Sequence, residues 1–398
     1  MKKLMMATAT AALAAGGAMA QSDEEVKIGI ILGFTGPIES ITPAMGASAE
    51  LALSEINESG NFLDGQTLTP VQADSTCVDS AAATAAAERL VTTDGIVAIV
   101  GADCSGVTGA ILSNVAVPNG VPMISPSATS PGLSNAEDDG LFFRTAPSDA
   151  RQGEVLAGIL ESEGISSVAV TYTNNDYGKG LADSFVASFE EAGGEVTLTS
   201  PHEDNKADYS AEIGALASAG GDALVVLGYA DSGGKGMIQA AADTGAFSTF
   251  MLGDGMYGQE MLDDLSDVLE GSFGAVPWSQ GEGAEAFSTL VNDTADFDPD
   301  SSYTRESYDA AALLALAMQA GGEATSEAAA ANIMTVANEP GEKILPGELG
   351  KGLQILADGG EIDYVGATGV ELIGPGEAAG SYRYYTITDG TFETVEFR

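Results

Sequence analysis

Short apolar runs alternate with longer segments of helical periodicity from Val26 onward, and this alternation constrains the fold more than any other feature. Residues 26–33, 67–74, 96–100 and 121–124 have the length and composition of buried strands, and a helical segment separates each from the next. Strands that alternate with helices in this way form a mostly parallel sheet with helices on both faces. The sequence therefore predicts an α/β fold.

The alternation begins again after Pro147, where Ser148 is placed to cap the helical segment 149–163, and it continues to residue 277. This repetition predicts two similar doubly wound halves, with junctions near residues 144–147 and 275–279. Two helices, over 303–320 and 325–336, are predicted to follow the second junction. A Gly/Pro-rich tail then leads into a terminal hairpin that turns at Asp389-Gly390.

The loops after two strands of the first half are rich in small and hydroxyl residues. Residues 101–106 read GADCSG, and residues 125–130 read SPSATS. In an open α/β sheet, ligands bind beyond the carboxyl ends of the strands, where backbone N–H groups and hydroxyls are free. We therefore expect Ser105, Ser127 and Thr129 to help bind the acidic end of a small molecule.

Asp254 follows a predicted strand of the second half, at the equivalent edge. It lies in Gly253-Asp254-Gly255-Met256-Tyr257-Gly258, which matches the G-x-G-x-x-G pattern of dinucleotide sites. An aspartate in that turn opposes the positive potential that a pyrophosphate needs, so we interpret Asp254 as a partner for a cation. The alternative is a simple turn aspartate. Tyr177 and Tyr229 also follow strands at this edge, either to cover a ligand or as ordinary loop packing.

The beginning of the chain has the pattern of a secretory signal peptide. Lys2-Lys3 precede an apolar stretch over residues 4–15, and Ala18-Met19-Ala20 matches a cleavage site. The 398 residues carry a formal net charge of −45. This charge disfavours a nucleic acid or an anionic membrane as partner, and it is interpreted as a solvated acidic surface in preference to an acidic docking patch.

The chain contains two cysteines and one histidine. Cys77 and Cys104 each follow a predicted strand end, and in an exported chain we expect them to be bonded, with two free thiols as the alternative. His202 has no Ser or Cys motif beside it and is interpreted as a surface residue. The sequence offers no metal-ligand spacing and no nucleophile elbow, so it predicts neither a metal site nor catalytic residues.

Six segments together resemble one family over essentially the whole mature chain, in the same order. They are VKIGIILGFTGP, GADCSG, MISPSATSPGL, FFRTAPSD, NNDYGKG and IDYVGATG. In these segments and their order, the chain is similar to the periplasmic leucine/isoleucine/valine-binding proteins, the type I solute receptors of ABC importers. The resemblance implies the periplasmic binding protein type I fold, in which two Rossmann-like lobes joined by a three-crossover hinge close on a ligand.

The resemblance also implies roles for individual residues. Ser105 and Thr129 resemble the donors to the ligand carboxylate, and Ser127 resembles the residue whose carbonyl meets the ammonium group, with Ala128 between the two in the binding loop. Asp254 resembles the acidic residue that binds the ammonium group, although it is shorter than the usual Glu. The remaining positions implied are the cleft tyrosines Tyr177 and Tyr229, the pocket aromatics Tyr303 and Phe34, and the disulfide cysteines Cys77 and Cys104.

Where the family often has an aromatic residue after the Gly-Pro turn, this chain has Ser40-Ile41-Thr42. The resemblance therefore implies a receptor for a small amino acid, branched-chain or otherwise aliphatic, with an altered side-chain pocket. It further implies a monomer in the periplasm, without cofactor, that delivers its ligand to a permease in the inner membrane. A receptor for an amide or an aromatic acid, and a ligand-sensing module, are the alternatives.

The predicted lobes are built from separate parts of the chain. Residues 26–145 and 279–378 form the N-terminal lobe, and residues 146–278 and 379–398 form the C-terminal lobe. An exported enzyme is disfavoured because the chain lacks a nucleophile and base in a recognisable arrangement.

Overall fold

The computed structural model describes residues 25–398, so the predicted signal peptide, residues 1–20, lies outside the described residues. The strands in chain order are β1 (Glu25–Leu32), β2 (Thr67–Asp74), β3 (Ala98–Gly101), β4 (Met123–Ser125), β5 (Phe142–Pro147), β6 (Ser167–Thr173), β7 (Glu195–His202), β8 (Ala223–Leu227), β9 (Phe250–Leu252), β10 (Phe273–Pro277), β11 (Glu342–Ile344), β12 (Ile362–Tyr364), β13 (Leu372–Ile373), β14 (Glu377–Ala378), β15 (Tyr382–Thr388) and β16 (Thr391–Phe397). The α-helices are α1 (Thr42–Ser59), α2 (Ser80–Arg89), α3 (Ser105–Ile111), α4 (Val117–Asn119), α5 (Asp149–Glu163), α6 (Asp176–Glu191), α7 (Ser210–Ala219), α8 (Gly233–Thr244), α9 (Gln259–Leu269), α10 (Glu282–Thr294), α11 (Thr304–Gly321), α12 (Ser326–Val336) and α13 (Leu349–Ala357).

Two seven-stranded sheets form the centres of two lobes. The first lobe is built on the sheet with strand order β13-β14-β5-β4-β3-β1-β2, and the second lobe on the sheet with order β16-β15-β10-β9-β8-β6-β7. Strands β1 to β5 pair in parallel, as do β6 to β10. Central strands are covered on both faces, and Ile28, Ile30 and Ile31 of β1 are fully buried. This burial explains why their sequences are apolar runs without alternation.

The polypeptide passes between the two sheets three times. It leaves the first lobe after β5, returns to it after β10, and leaves again between β14 and β15. After the second passage, α10 and α11 complete the first lobe, where Phe287 and Val291 of α10 join the same apolar core as Leu313 and Leu316 of α11. These three passages constitute the hinge, and the predicted fold of two doubly wound lobes joined by three crossovers is confirmed.

The region after the hinge contains more regular structure than the sequence predicts. Helix α10 lies between the predicted junction and the helix predicted over 303–320, where the sequence predicts no element. Helix α13, the small parallel pair β11–β12, and the edge strands β13 and β14 fall in the Gly/Pro-rich tail. Helix α10 follows Gly281 and contains Gly283, residues that disfavour a helix locally. Burial of Phe287 and Val291 in the first lobe compensates for this weak propensity. Within residues 25–398, no helix combines the length and the apolar character needed to cross a bilayer.

Candidate functional site

A small cavity of about 20 Å³ lies between the carboxyl ends of the strands of the two lobes. Its volume is that of about one water molecule, so the lobes are closed on each other. Residues from both lobes line it, namely Ile38, Ile41, Asp103, Cys104, Ser105, Ser127 and Tyr303 from the first lobe and Tyr177, Tyr229, Asp254 and Gly255 from the second. We call this cavity and its lining the cleft site.

Asp254 has both carboxylate oxygens occupied by tyrosine hydroxyls. Tyr177 donates to Oδ1 over 2.6 Å, and Tyr303 donates to Oδ2 from the opposite lobe. All three side chains are at least 94% buried. Desolvation, followed by the negative charge of Asp254, raises the pKa of both tyrosines well above its usual range. They therefore remain protonated donors at physiological pH, and the carboxylate is the acceptor.

Local packing explains the glycines around Asp254. Residues 254–256 form a single 3₁₀ turn between β9 and α9. A Cβ atom on Gly255 would lie 2.5 Å from the carbonyl oxygen of Gly228 and 2.8 Å from the hydroxyl of Tyr177. The glycine thus permits the close approach that aligns Tyr177 with Asp254. The central glycine of the G-x-G-x-x-G pattern therefore has a packing role at this turn.

The loop after β3 carries Ser105 into the cleft site. Ser105 is the first residue of α3, so its backbone N–H has no acceptor within the helix, and its Oγ accepts a hydrogen bond from the N–H of Ser130 at 3.1 Å. The preceding Asp103 is buried and ties the ends of two other strands, accepting from the N–H of Gly33 at 2.7 Å and from Oγ of Ser75 at 2.7 Å. Desolvation raises the pKa of Asp103, and these hydrogen bonds partly offset that rise.

The predicted disulfide is present between Cys77 and Cys104, whose Cα atoms are 5.1 Å apart. It connects the loop after β2 to the residue that precedes Ser105. The loop carrying Ser105 is thereby held from two sides, by the covalent bond and by the hydrogen bonds of Asp103.

The loop after β4 places its three predicted residues at different depths. Ser127 reaches the cleft site, and its Oγ donates to the carbonyl of Asp103 at 3.1 Å. Ala128 and Thr129 are fully buried and lie outside the cavity lining. The buried guanidinium of Arg144 donates to the carbonyls of Ala128 and Ser130, each at 3.0 Å, and so fixes this loop against β5.

A further buried carboxyl group, that of Asp149, lies near Asp254, and the sequence analysis does not predict it as part of the site. It is the first residue of α5, and neither it nor Gln152 is exposed at all. Desolvation and the nearby charge of Asp254 raise the pKa of Asp149 well above its usual range, while Thr129 and Arg144 act in the opposite direction. Burial and the neighbouring carboxyl group of Asp254 therefore both disfavour ionisation of Asp149. Its position after Ser148 in the sequence indicates only a helix start, because its burial depends on packing between the lobes.

Of the two remaining predicted residues, Tyr229 and Phe34, only the first lines the cleft site. Tyr229 lines the cleft site, stacks on Tyr177 with ring centroids 5.2 Å apart, and accepts a hydrogen bond from Nδ2 of Asn175 at 3.2 Å. Phe34 lies outside the cavity lining and packs beside Gly46 of α1. Ile38, which the sequence analysis did not single out, and Ile41, from the segment Ser40-Ile41-Thr42 that departs from the family, form the wall of the cavity on that side.

Direct contacts between the lobes keep the cleft closed. The N–H of Ser40 donates to the carboxylate of Asp231 at 2.9 Å, and the N–H of Asp231 donates to the carbonyl of Pro37 at 3.3 Å. On the other side of the cavity, Oγ of Ser130 donates to the carbonyl of Asp176 at 3.1 Å. A ligand can enter only when these contacts open, which the hinge permits.

The part of the chain that the structure describes holds no group of three or more His, Cys, Asp and Glu side chains able to bind a metal ion.

The prediction that His202 is a surface residue is wrong. The residue is 1% exposed at the end of β7, and its Nδ1 lies 2.8 Å from Oγ1 of Thr171. Burial lowers the pKa of His202 to about 4.

Known proteins resemble this chain in sequence and in structure. The sequence profile of a family described as periplasmic binding protein matches residues 25–348. The chain is 28% identical to the chemotactic signal transduction system substrate-binding protein BasB of Halobacterium salinarum, with 94% of this chain and 89% of that protein covered. It is 31% identical to Leu/Ile/Val-binding protein homolog 1 of Brucella melitensis, with 81% and 85% covered.

A solved structure extends the likeness to three dimensions. The branched-chain amino acid transporter substrate-binding protein LivJ from Streptococcus pneumoniae, in complex with isoleucine, superposes with a TM-score of 0.77 at 24% identity. The superposition covers 94% of this chain and 99% of LivJ. The matched family is one of solute receptors for transport and not of enzymes. The chain belongs to the periplasmic binding proteins, among the type I receptors that include the Leu/Ile/Val-binding proteins.

Proposed function

We propose that the protein is the solute receptor of an ABC importer and binds a small aliphatic α-amino acid, branched-chain or similar, in the cleft site. The observation that carries the proposal is the buried carboxylate of Asp254 at the contact between the lobes. A buried negative charge is stable only when it is fully paired, and an α-ammonium group supplies a positive charge with three donors. In this account, the hydroxyl and N–H groups of Ser105 bind the ligand's carboxylate, since Ser105 lines the cleft site and Thr129 does not.

The apolar wall of the cleft site supports an aliphatic ligand side chain. Ile38 and Ile41 occupy the region where the sequence departs from the aromatic pattern of the family. Aliphatic side chains gain about 25 cal/mol for each Å² that they bury against such a wall. The stacked rings of Tyr177 and Tyr229 form an adjoining face of the cavity.

Closure of the two lobes links binding to transport. A ligand that contacts both lobes favours the closed form, which presents one face of each lobe to a membrane permease. We propose that the protein acts as a monomer in the periplasm, after cleavage behind Ala20. Residues 26–145 with 279–378 and residues 146–278 with 379–398 are the proposed moving units. Mass spectrometry of the exported protein checks the export step, which predicts Gln21 as the first residue.

Calorimetry with matched ligands tests the proposed substrate class. Leucine has both charged groups, 4-methylpentanoate lacks the ammonium group, and 3-methylbutylamine lacks the carboxylate. We expect saturable binding of leucine or a similar aliphatic amino acid and at least a hundredfold weaker binding of the two truncated ligands, because each leaves a buried polar group unpaired. Binding of 4-methylpentanoate as tight as leucine, or binding of benzoate or an amide but of no α-amino acid, would contradict the proposal.

A role in sensing is the second candidate, and it rests on the similarity to a receptor named for chemotactic signal transduction. The cleft site would be the same, but the closed form would contact a membrane sensor in place of a permease. Deletion of the chain's gene distinguishes the two roles. Loss of amino acid uptake supports the importer, whereas normal uptake with loss of the chemotactic response supports the sensor.

A further inference from the structure

A second cavity lies at the hinge, away from the cleft site. Its volume is about 210 Å³, roughly ten times that of the cleft site in this closed form. Each of the three passages between the lobes contributes to its wall, through Thr145 and Pro147, through residues 277–279, and through residues 378–381. The loop of residues 368–371 and the side chain of Glu306 complete it.

Glu306 is the buried acidic residue in the lining of this hinge cavity. It lies in the first turn of α11 and is 6% exposed. Its backbone carbonyl accepts a hydrogen bond from Oγ1 of Thr145 at 2.8 Å, which fixes the residue at the hinge. Within residues 25–398, its own backbone N–H interacts with its carboxylate, and no side chain donates a hydrogen bond to it.

The two arginines beside Trp278 make their closest contacts with groups other than Glu306. Arg305 donates to Asp300 at 2.6 Å and lies over the ring of Trp278, 4.5 Å from its centroid. Arg383 lies 4.9 Å from the same ring. Burial raises the pKa of Glu306 to about 7, because the desolvation penalty on its charged form outweighs the favourable effect of its own backbone N–H and of the charge of Arg305. A cation with N–H donors in the cavity would remove that penalty.

We propose that the hinge cavity is a binding site for a small organic cation with N–H donors, such as a primary ammonium compound, and that Glu306 is its anchoring carboxylate. An occupant that contacts all three passages holds them in the arrangement of the closed form. Occupancy of the hinge cavity therefore favours closure of the lobes. The proposal is independent of which solute the cleft site binds.

Trp278 allows binding in the hinge cavity to be measured by fluorescence, because it lines this cavity and is the one tryptophan of the chain. The probe is ethylammonium chloride, titrated at pH 8 while tryptophan fluorescence and small-angle X-ray scattering are recorded. Sodium chloride and tetramethylammonium chloride at equal ionic strength are the controls, since neither cation has an N–H donor. We expect a saturable fluorescence change and a smaller radius of gyration with ethylammonium only.

Two variants locate the response. Glu306→Gln removes the charge at nearly constant volume, and Ala379→Leu fills the cavity from a position in its wall. Both are expected to abolish the fluorescence response, with circular dichroism confirming that they are folded. Glu327→Gln, an exposed position on α12, is expected to respond like the wild type. The proposed site would be overturned by the absence of a fluorescence response in the wild type, by an equal response in Glu306→Gln, or by an equal response to sodium. Binding of ethylammonium without a smaller radius of gyration would overturn the proposed link between occupancy of the cavity and closure of the lobes.

Discussion

Tyr303 donates its hydroxyl hydrogen bond across the cleft to Asp254, so a residue at the start of α11 in one lobe holds the carboxylate of the other lobe. Tyr303 does so from a left-handed backbone conformation, with φ of 61° and ψ of 12°. A tyrosine in this conformation costs about 1–2 kcal/mol of backbone strain. Strain at this position is consistent with selection for the placement of the hydroxyl and not for the stability of the helix start.

Replacement of Tyr303 by Phe removes that contact while keeping the ring. Because hydrogen bonds to charged groups contribute about 1.5–3 kcal/mol, we expect the closed form to be destabilised and the ligand to bind about 10- to 100-fold more weakly. Calorimetric titration with the preferred amino acid measures the change. Tyr384→Phe is the matched control, because Tyr384 donates to Glu163 at 2.5 Å away from the cleft site, and it should leave affinity unchanged. Equal affinities for wild type and Tyr303→Phe would show that this contact does not contribute to closure.

The buried ion pair of Arg144 and Glu377 should dominate the stability of the edge of the first sheet. Arg144 is 1% exposed, lies 2.5 Å from Glu377 of β14, and also holds the carbonyls of Ala128 and Ser130. Arg144→Met leaves Glu377 without its partner, and we expect urea unfolding to give a loss of about 3–5 kcal/mol. The exposed pair of Arg89 and Asp94 provides the comparison, and Arg89→Met should lose less than about 1 kcal/mol. Similar losses of unfolding free energy in the two variants would contradict the expected difference between the buried and the exposed ion pair.

The disulfide should stabilise the fold and hold the loop that carries Ser105. Cys77 and Cys104 are separated by 27 positions, and closing a loop of this size stabilises a protein by about 2–4 kcal/mol. We expect the double variant Cys77→Ser/Cys104→Ser to unfold at lower denaturant concentration by that amount. Wild-type protein treated with a reducing agent should reproduce the effect. An unchanged midpoint in both samples would mean that the noncovalent contacts of Asp103 are sufficient.

His202 should make folding sensitive to mild acid. Its pKa is about 4 in the folded protein, against 6.5 for a histidine in water, because burial disfavours the charged ring. Above pH 6.5 the ring is neutral in both states, but as pH falls from 6.5 to 4 the unfolded chain takes up the proton first. The free energy of unfolding should therefore decrease by about 3 kcal/mol over that range from this residue alone.

Comparison with His202→Gln isolates the contribution of His202 from that of the buried acids. The difference in unfolding free energy between wild type and variant should narrow as pH falls from 6.5 to 4 and stay constant above 6.5. Chemical unfolding at several pH values measures it. A difference that does not change with pH would contradict the assignment of a depressed pKa.

The parts of the fold that could be predicted from the sequence are those specified by local pattern. Helix α5 has the predicted bounds, since it combines clear periodicity with a cap at Ser148 and a glycine, Gly164, after its last residue. Helix α10 was missed because Gly281 and Gly283 obscure its start, and only burial against the first lobe reveals it. The division of the chain into lobes at residues 145, 278 and 378 stays a prediction.

The cleft site, like the fold, could be predicted only where local sequence pattern or resemblance identifies the residues. Ser105, Asp254 and the three tyrosines are recognisable because they follow strands, or resemble family positions, and the structure brings them together. Their roles in binding remain predictions. Asp149 and Glu306 could not be found in this way, since each reads as an ordinary acidic residue in the first turn of a helix. Their burial and raised pKa values depend on contacts made between the lobes, over long distances in sequence.

The most direct test of the account is the affinity of Asp254→Ala for the preferred α-amino acid, measured by calorimetry beside the exposed control Asp222→Asn. Because removing one partner of a buried charge pair costs about 2–5 kcal/mol, we predict at least a thirtyfold loss of affinity in Asp254→Ala and none in the control. Circular dichroism of both variants establishes that they are folded. Wild-type affinity in a folded Asp254→Ala protein would contradict the claim that this carboxylate binds the ligand's ammonium group.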